Sequence, residues 1–136
     1  MPTVSVFRLN ALRGGYLLLA AGIGAAMAPQ LLVQGPDLEL MQGATLSMLC
    51  AVGLLAVLGL RYPLAMLPLL MFEMAWKAIW LLRIAVPLSL DGRLDPSFMG
   101  TVDACLIAVI FPFLIPWRHV LDTYVRRAAD PWRRAA

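Results

Sequence analysis

Charge is missing from long stretches of this chain. Residues 14–36 and 40–60 carry none, 96–117 carry only Asp103, and 62–90 carry Glu73, Lys77 and Arg83. A membrane-crossing helix needs about 20 mainly apolar residues at roughly 1.5 Å rise each. Four such spans fit, at about 12–29, 41–60, 64–86 and 97–117. The apolar runs are continuous and lack the period-two alternation of membrane-barrel strands. The pattern therefore predicts an all-α fold: a four-helix transmembrane bundle forming a single integral membrane domain over 1–136. A short interfacial helix over 118–127 opens the basic C-terminal tail, 118–136.

The joints between spans have readable causes. Pro29 and the run Gln34-Gly35-Pro36-Asp37 are expected to close the first helix and turn the chain. Arg61-Tyr62-Pro63 is so short a link that spans two and three should be antiparallel neighbours. Pro87 should end the third helix. Asp91-Gly92-Arg93 reads as a turn, and Asp95-Pro96 as an N-cap followed by proline in the first turn of the fourth helix. Pro112 and Pro116 should kink that helix near its end.

Composition strengthens the membrane reading. Apolar residues make up 62% of the chain and charged residues 14%, against about 25% charged in soluble averages. That excludes a soluble globule and a disordered tail. Two cysteines exclude a disulfide scaffold, and with one histidine they cannot fill a usual zinc site. The net charge of +3 does not point to nucleic acid, because the basic residues flank the spans or gather in the tail. There they suit anionic lipid headgroups. Arginine supplies all basic positions but Lys77, read as the mark of a GC-rich bacterial genome. Arg8 and Arg13 precede span one, Arg61 separates spans two and three, and Arg118, Arg126, Arg127, Arg133 and Arg134 follow span four. The opposite loops carry Asp37 and Glu39, then Asp91, Arg93 and Asp95. The positive-inside rule then places both termini in the cytoplasm of a bacterial inner membrane. Ala26-Met27-Ala28 resembles a signal-peptide cleavage pattern. Pro29 directly after the cut is a poor substrate, and the apolar run continues through Leu31, Leu32 and Val33, so the first span is expected to stay uncleaved.

The third span holds the densest polar constellation. Glu73 and Lys77, one helical turn apart, share a face in the favourable acid-first order, with Trp76 and Trp80 beside them and Arg83 further along. Counted from Leu64 they fall near the bilayer midplane, where ionisable residues face the bundle interior and mark function by default. The bland alternative is a self-neutralising pair that pins helix packing. Asp103 of span four lies at the depth of Arg83, so an Arg83–Asp103 clamp is the simplest neutralisation; leaning inward, Asp103 could instead meet Lys77. With Gln42, Thr45 and Thr101, these residues predict a ligand pocket open toward the periplasm and floored by Glu73 and Lys77. A carboxylate and an amine on adjacent turns can also shuttle a proton, which makes them the catalytic candidates. No nucleophilic triad, phosphate loop, haem-type histidine pair or redox cysteine pair accompanies them, and neither cofactor nor metal is expected. His119 reads as interfacial, and Cys50 and Cys105 as packing residues. Small residues recur every four positions at Ala20, Gly24 and Ala28, and at Gly43, Ser47 and Ala51. This predicts close packing of spans one and two, with homodimerisation as the alternative use.

The tight joint Leu58-Gly59-Leu60-Arg61-Tyr62-Pro63, the span lengths and the inward termini resemble the small bacterial four-helix membrane proteins of the DoxX-like group. The size is also similar to small multidrug-resistance transporters, but those carry an acid in the first helix and span one has none. Emopamil-binding-type isomerases use membrane acids with tryptophan, but their histidine and paired glutamates have no match here. Three functions remain: an accessory subunit or binder of an apolar, lipid-like molecule; an intramembrane enzyme on a lipid or steroid-like substrate with Glu73 and Lys77 as proton carriers; and a small transporter with Glu73 as coupling acid. The partners implied are the bilayer, an apolar small molecule, and a second copy or another membrane protein; nucleic acid is excluded.

Overall fold

The computed structural model describes residues 4–133; Arg134 of the basic tail lies outside them. Among the described residues all regular structure is helical. Helix α1 (Val6–Ala26) passes through Met27 directly into α2 (Ala28–Gln34), and a single tight turn, Gly35–Asp37, leads to α3 (Leu40–Arg61). Helix α4 (Leu67–Trp80) continues through a wide turn, Leu81–Ala85, into α5 (Val86–Leu90). Helix α6 (Met99–Ile107) continues through a tightened turn, Ala108–Ile110, into α7 (Phe111–Leu114); α8 (Trp117–Leu121) and a last wide turn, Asp122–Arg126, follow.

Three of these runs, Val6–Asp37, Leu40–Arg61 and Pro96–Leu114, are long and apolar enough to cross a membrane. The run 67–90 has the length, but Glu73, Lys77 and Arg83 interrupt its apolar character. Large apolar side chains such as Leu54, Leu82, Val109 and Phe113 face outward. Soluble monomers rarely expose such continuous apolar surface. Together these features mark a membrane protein.

Prolines decide the helix boundaries differently from the sequence expectation. Helix α1 ends at Ala26, just ahead of Pro29, and Pro29 sits in the first turn of α2, where its missing N–H costs no bond; the helical run then resumes and extends to Asp37 rather than stopping at 29. Pro87 likewise falls in the first turn of α5, after the wide turn has shifted the hydrogen-bond register, so helix continues to Leu90 rather than 86. Span four is segmented. Pro112 lacks the N–H that Ala108 O would accept, and the chain tightens at Ala108–Ile110. Regular helix stops at Leu114, short of the expected 117, because Ile115 before Pro116 turns extended.

The expected Asp95 cap is present, and Glu39 caps α3 as well. Asp95 accepts the Ser97 N–H at 2.9 Å. Glu39 accepts those of Met41 and Gln42 at 3.1 and 3.0 Å. These backbone donors hold both carboxyls below their ordinary pKa values. Gly92 ends α5 with φ +67°, and Arg93 N–H and Gly92 N–H bond Leu88 O and Ser89 O, the double closure of a left-handed C-cap.

Helix α1 packs along α3, while α4 packs against 108–114, and α7 returns to α1. Leu12, Tyr16 and Leu19 of α1 meet Val52 and Ala56 of α3, Leu67 and Leu70 of α4, and Phe111 and Ile115 in one core. The small residues that permit this are not the stripes at Gly24 and at Ser47 and Ala51, which are exposed. They are Gly53, against Ile23, and Gly59, whose missing Cβ leaves the space the Tyr16 ring occupies. The Tyr16 hydroxyl then donates to Pro63 O at 2.8 Å and ties α1 to the joint between α3 and α4.

Gly59→Ala should therefore lower the melting temperature of the detergent-purified protein by an overpacking penalty of about 1–3 kcal/mol. Gly24→Ala, where a Cβ meets nothing within 4 Å, should be neutral or stabilising. Equal melts for the two variants would contradict the close contact of Tyr16 with α3.

Candidate functional site

Helix α4 presents Leu67, Leu70 and Glu73 at successive steps of three, and all three have 0% exposure. Glu73 is therefore drawn inward by the same face that carries the core leucines. Its charge is met on its own helix. Lys77 Nζ lies 2.8 Å from Glu73 Oε2, and Trp76 Nε1–H donates to Oε1 at 3.0 Å. The ammonium is the partner of Oε2, and no other donor reaches that oxygen among the described residues. Lys77 Nζ also stands 5.4 Å from the Trp76 ring centre and 5.9 Å from that of Phe111, within cation–π range of both. Only 12% of the Lys77 side chain is exposed. The cluster of carboxylate, ammonium and two aromatic rings is closed on itself.

The other residues expected at this site do not join it. Arg83 and Asp103 are both exposed and form no ion pair with each other or with Lys77 among the described residues. The reason is helical phase. Arg83 stands two residues before buried Ala85, and Asp103 two residues before buried Cys105, so each is carried to roughly the opposite side of its helix. Gln42, Thr45 and Thr101 are exposed as well, and the Thr45 hydroxyl donates to Met41 O of its own helix at 2.8 Å. Trp80 is half-buried and makes no hydrogen bond among the described residues. The expected polar pocket is thus not assembled; what remains of it is Glu73, Trp76 and Lys77. Phe111 completes the cluster and was not foreseen, because an aromatic residue in an apolar run gives no sign of which helix it faces.

Two open grooves lie elsewhere. One, of about 400 Å³, runs along the corner of α2 and α3 past Leu31, Gly35, Leu38, Glu39 and Gly43. The other, of about 260 Å³, separates the start of α1 from α7 and is lined by Ser5, Phe7, Arg8, Ala11, Phe113 and Leu114. Neither is lined by Glu73 or Lys77. Cys50 and Cys105 are free thiols, the first half-buried and the second buried.

No protein-family model, curated protein or solved structure matches the chain.

The closed pair sets a mutational signature. Lys77→Met alone leaves a buried carboxylate without its counter-charge and should destabilise the protein by about 3–5 kcal/mol. Glu73→Gln with Lys77→Met removes both charges at nearly constant volume and should melt close to the parent, since apolar replacement of a buried pair is often neutral or stabilising. Asp103→Asn, at an exposed and unpaired position, should change the melt by less than about 0.5 kcal/mol. A double variant as unstable as the single one would show that the charges do not neutralise each other.

Proposed function

We propose that this chain is a four-span protein of a bacterial inner membrane, with both termini in the cytoplasm, that acts as an accessory subunit or as a binder of an apolar, lipid-like molecule. The observation that carries the non-catalytic reading is the closure of the Glu73–Lys77 pair. A proton carrier or coupling acid has to meet water or substrate. Glu73 has no exposed surface and its oxygens face Lys77 and Trp76. That favours a charge pair which fixes packing over the enzyme and transporter readings.

Four spans are supported by the bonds at one end of the bundle. Arg8 near the start of α1 bonds Phe113 O, Leu114 O and Ile115 O at the end of α7. Arg13 bonds Leu60 O at the end of α3, and Tyr16 reaches Pro63 O just before α4. The start of the first run, the end of the second, the start of the third and the end of the fourth therefore share an end, as an even number of crossings requires. The third run can cross in spite of its charges because Glu73 and Lys77 neutralise each other and exposed Arg83, near the far end, can reach toward headgroups. The DoxX-like resemblance fits the same layout.

Reporter fusions at Gln34, Arg61, Gly92 and the C-terminus should read outside, inside, outside, inside. Mass spectrometry of apolar compounds co-extracted with the purified protein should find the same molecule on the parent and on the Glu73→Gln, Lys77→Met variant. A periplasmic C-terminus would overturn the topology. Loss of the molecule from a folded double variant would make the pair a binding site and not a structural clamp.

A further inference from the structure

The groove between the start of α1 and α7 combines hydrocarbon-facing walls with a fixed cation. Phe7 and Phe113 are 84% and 76% exposed, and Ala11 and Leu114 lie with them along the groove. Arg8 lines the same groove. Its guanidinium is already held: Nε donates to Leu114 O at 3.4 Å, and Nη2 to Phe113 O and Ile115 O at 3.3 and 3.1 Å. These carbonyls lie where regular helix ends ahead of Pro116. The second terminal nitrogen, Nη1, makes no hydrogen bond among the described residues. A guanidinium fixed in this way loses little further freedom when an anion arrives.

Its surroundings select the sign and the class of partner. Arg13 bonds Leu60 O at this end of the bundle and Arg61 stands in the last turn of α3 beside it, while Asp122 is already paired with Arg126 at 2.8 Å. The partner must therefore be negative, and to cover Phe7, Ala11, Phe113 and Leu114 in a groove of about 260 Å³ it must bring hydrocarbon. We infer that this groove is a binding site for an anionic phospholipid, with its phosphate on Arg8 Nη1 and one acyl chain along Phe7, Ala11 and Phe113. The inference rests on the membrane reading above, which puts this end of the bundle at headgroup level. Arg8 then serves twice: it satisfies the carbonyls at the end of α7 and offers its outer edge to a lipid.

Native mass spectrometry of the full chain, purified in mild detergent and offered phosphatidylglycerol and phosphatidylcholine with identical acyl chains, tests this. Phosphatidylglycerol should be retained about fivefold over phosphatidylcholine, the ratio that corresponds to roughly 1 kcal/mol for one arginine at a lipid surface. Ala11→Leu, which fills the groove and leaves Arg8 in place, should abolish that preference, and Arg127→Gln should keep it. Phe7→Ala changes a side chain outside the core and should lower phosphatidylglycerol retention even if Ala11→Leu fails to fold. Equal retention of both lipids by the parent, a preference that survives Ala11→Leu, or undiminished phosphatidylglycerol retention by Phe7→Ala, would overturn the site. A chain that stays in solution without detergent would overturn the membrane reading itself, an outcome distinct from a detergent-dependent chain with no lipid preference.

Discussion

A carboxylate taken into an apolar interior costs several kcal/mol unless a counter-charge travels with it. Glu73 lies on the same inward stripe as Leu67 and Leu70, so α4 cannot pack without burying it. Lys77, one turn later, supplies the charge at 2.8 Å, and Trp76 supplies a donor to the other oxygen. The pair therefore assembles as the helix forms and asks nothing of a second helix except a ring, Phe111, over the ammonium. This lets a run with three charges sit among helices whose outward surface is almost wholly apolar, and it frees the neighbouring helices to use small and aliphatic residues at the contact.

Backbone groups face the same demand at the helix ends, where prolines have removed donors. Pro112 O would be bonded by the N–H of residue 116, but that residue is proline. The Trp117 indole donates to it instead at 2.8 Å. Arg8 collects the next three carbonyls, and Arg13 collects Leu60 O while bonding Asn10 at 2.8 Å. In a medium without water such bonds are close to obligatory. They also gather the bundle at one end, with Tyr16 reaching Pro63 from beside Gly59. The C-terminal segment joins this end through Val120, which is buried in the common core.

Features confined to one helix were legible in the sequence. The Glu73–Lys77 pair, the Asp95 cap and the Gly92 turn depend only on local spacing, and all three are present. Features that need the facing between helices were not. Arg83 and Asp103 have matching depth and opposite charge, yet their positions relative to Ala85 and Cys105 turn them away from the core. The periodic stripes at Gly24 and Gly43 were more regular than Gly53 and Gly59, but the latter meet Ile23 and Tyr16. Proline misled for a related reason. Pro29 and Pro87 each interrupt a helix without ending the run: the break falls at Met27 and in the wide turn Leu81–Ala85, and each proline then stands in the first turn of the next segment. Arg8 and Arg13 were read as topology signals alone; their hydrogen bonds to distant carbonyls follow from chain reversals that spacing does not encode.

Closure of the Glu73–Lys77 pair is directly measurable because the chain has a single lysine. Native membranes can be treated with a water-soluble amine-reactive reagent and the labelled peptides identified by mass spectrometry. Lys77 should stay unlabelled while the protein is folded and become labelled once it is unfolded in detergent before treatment. Rapid labelling of Lys77 in the folded protein would contradict the account, because it would place the ammonium in a wet cavity open to substrate or proton.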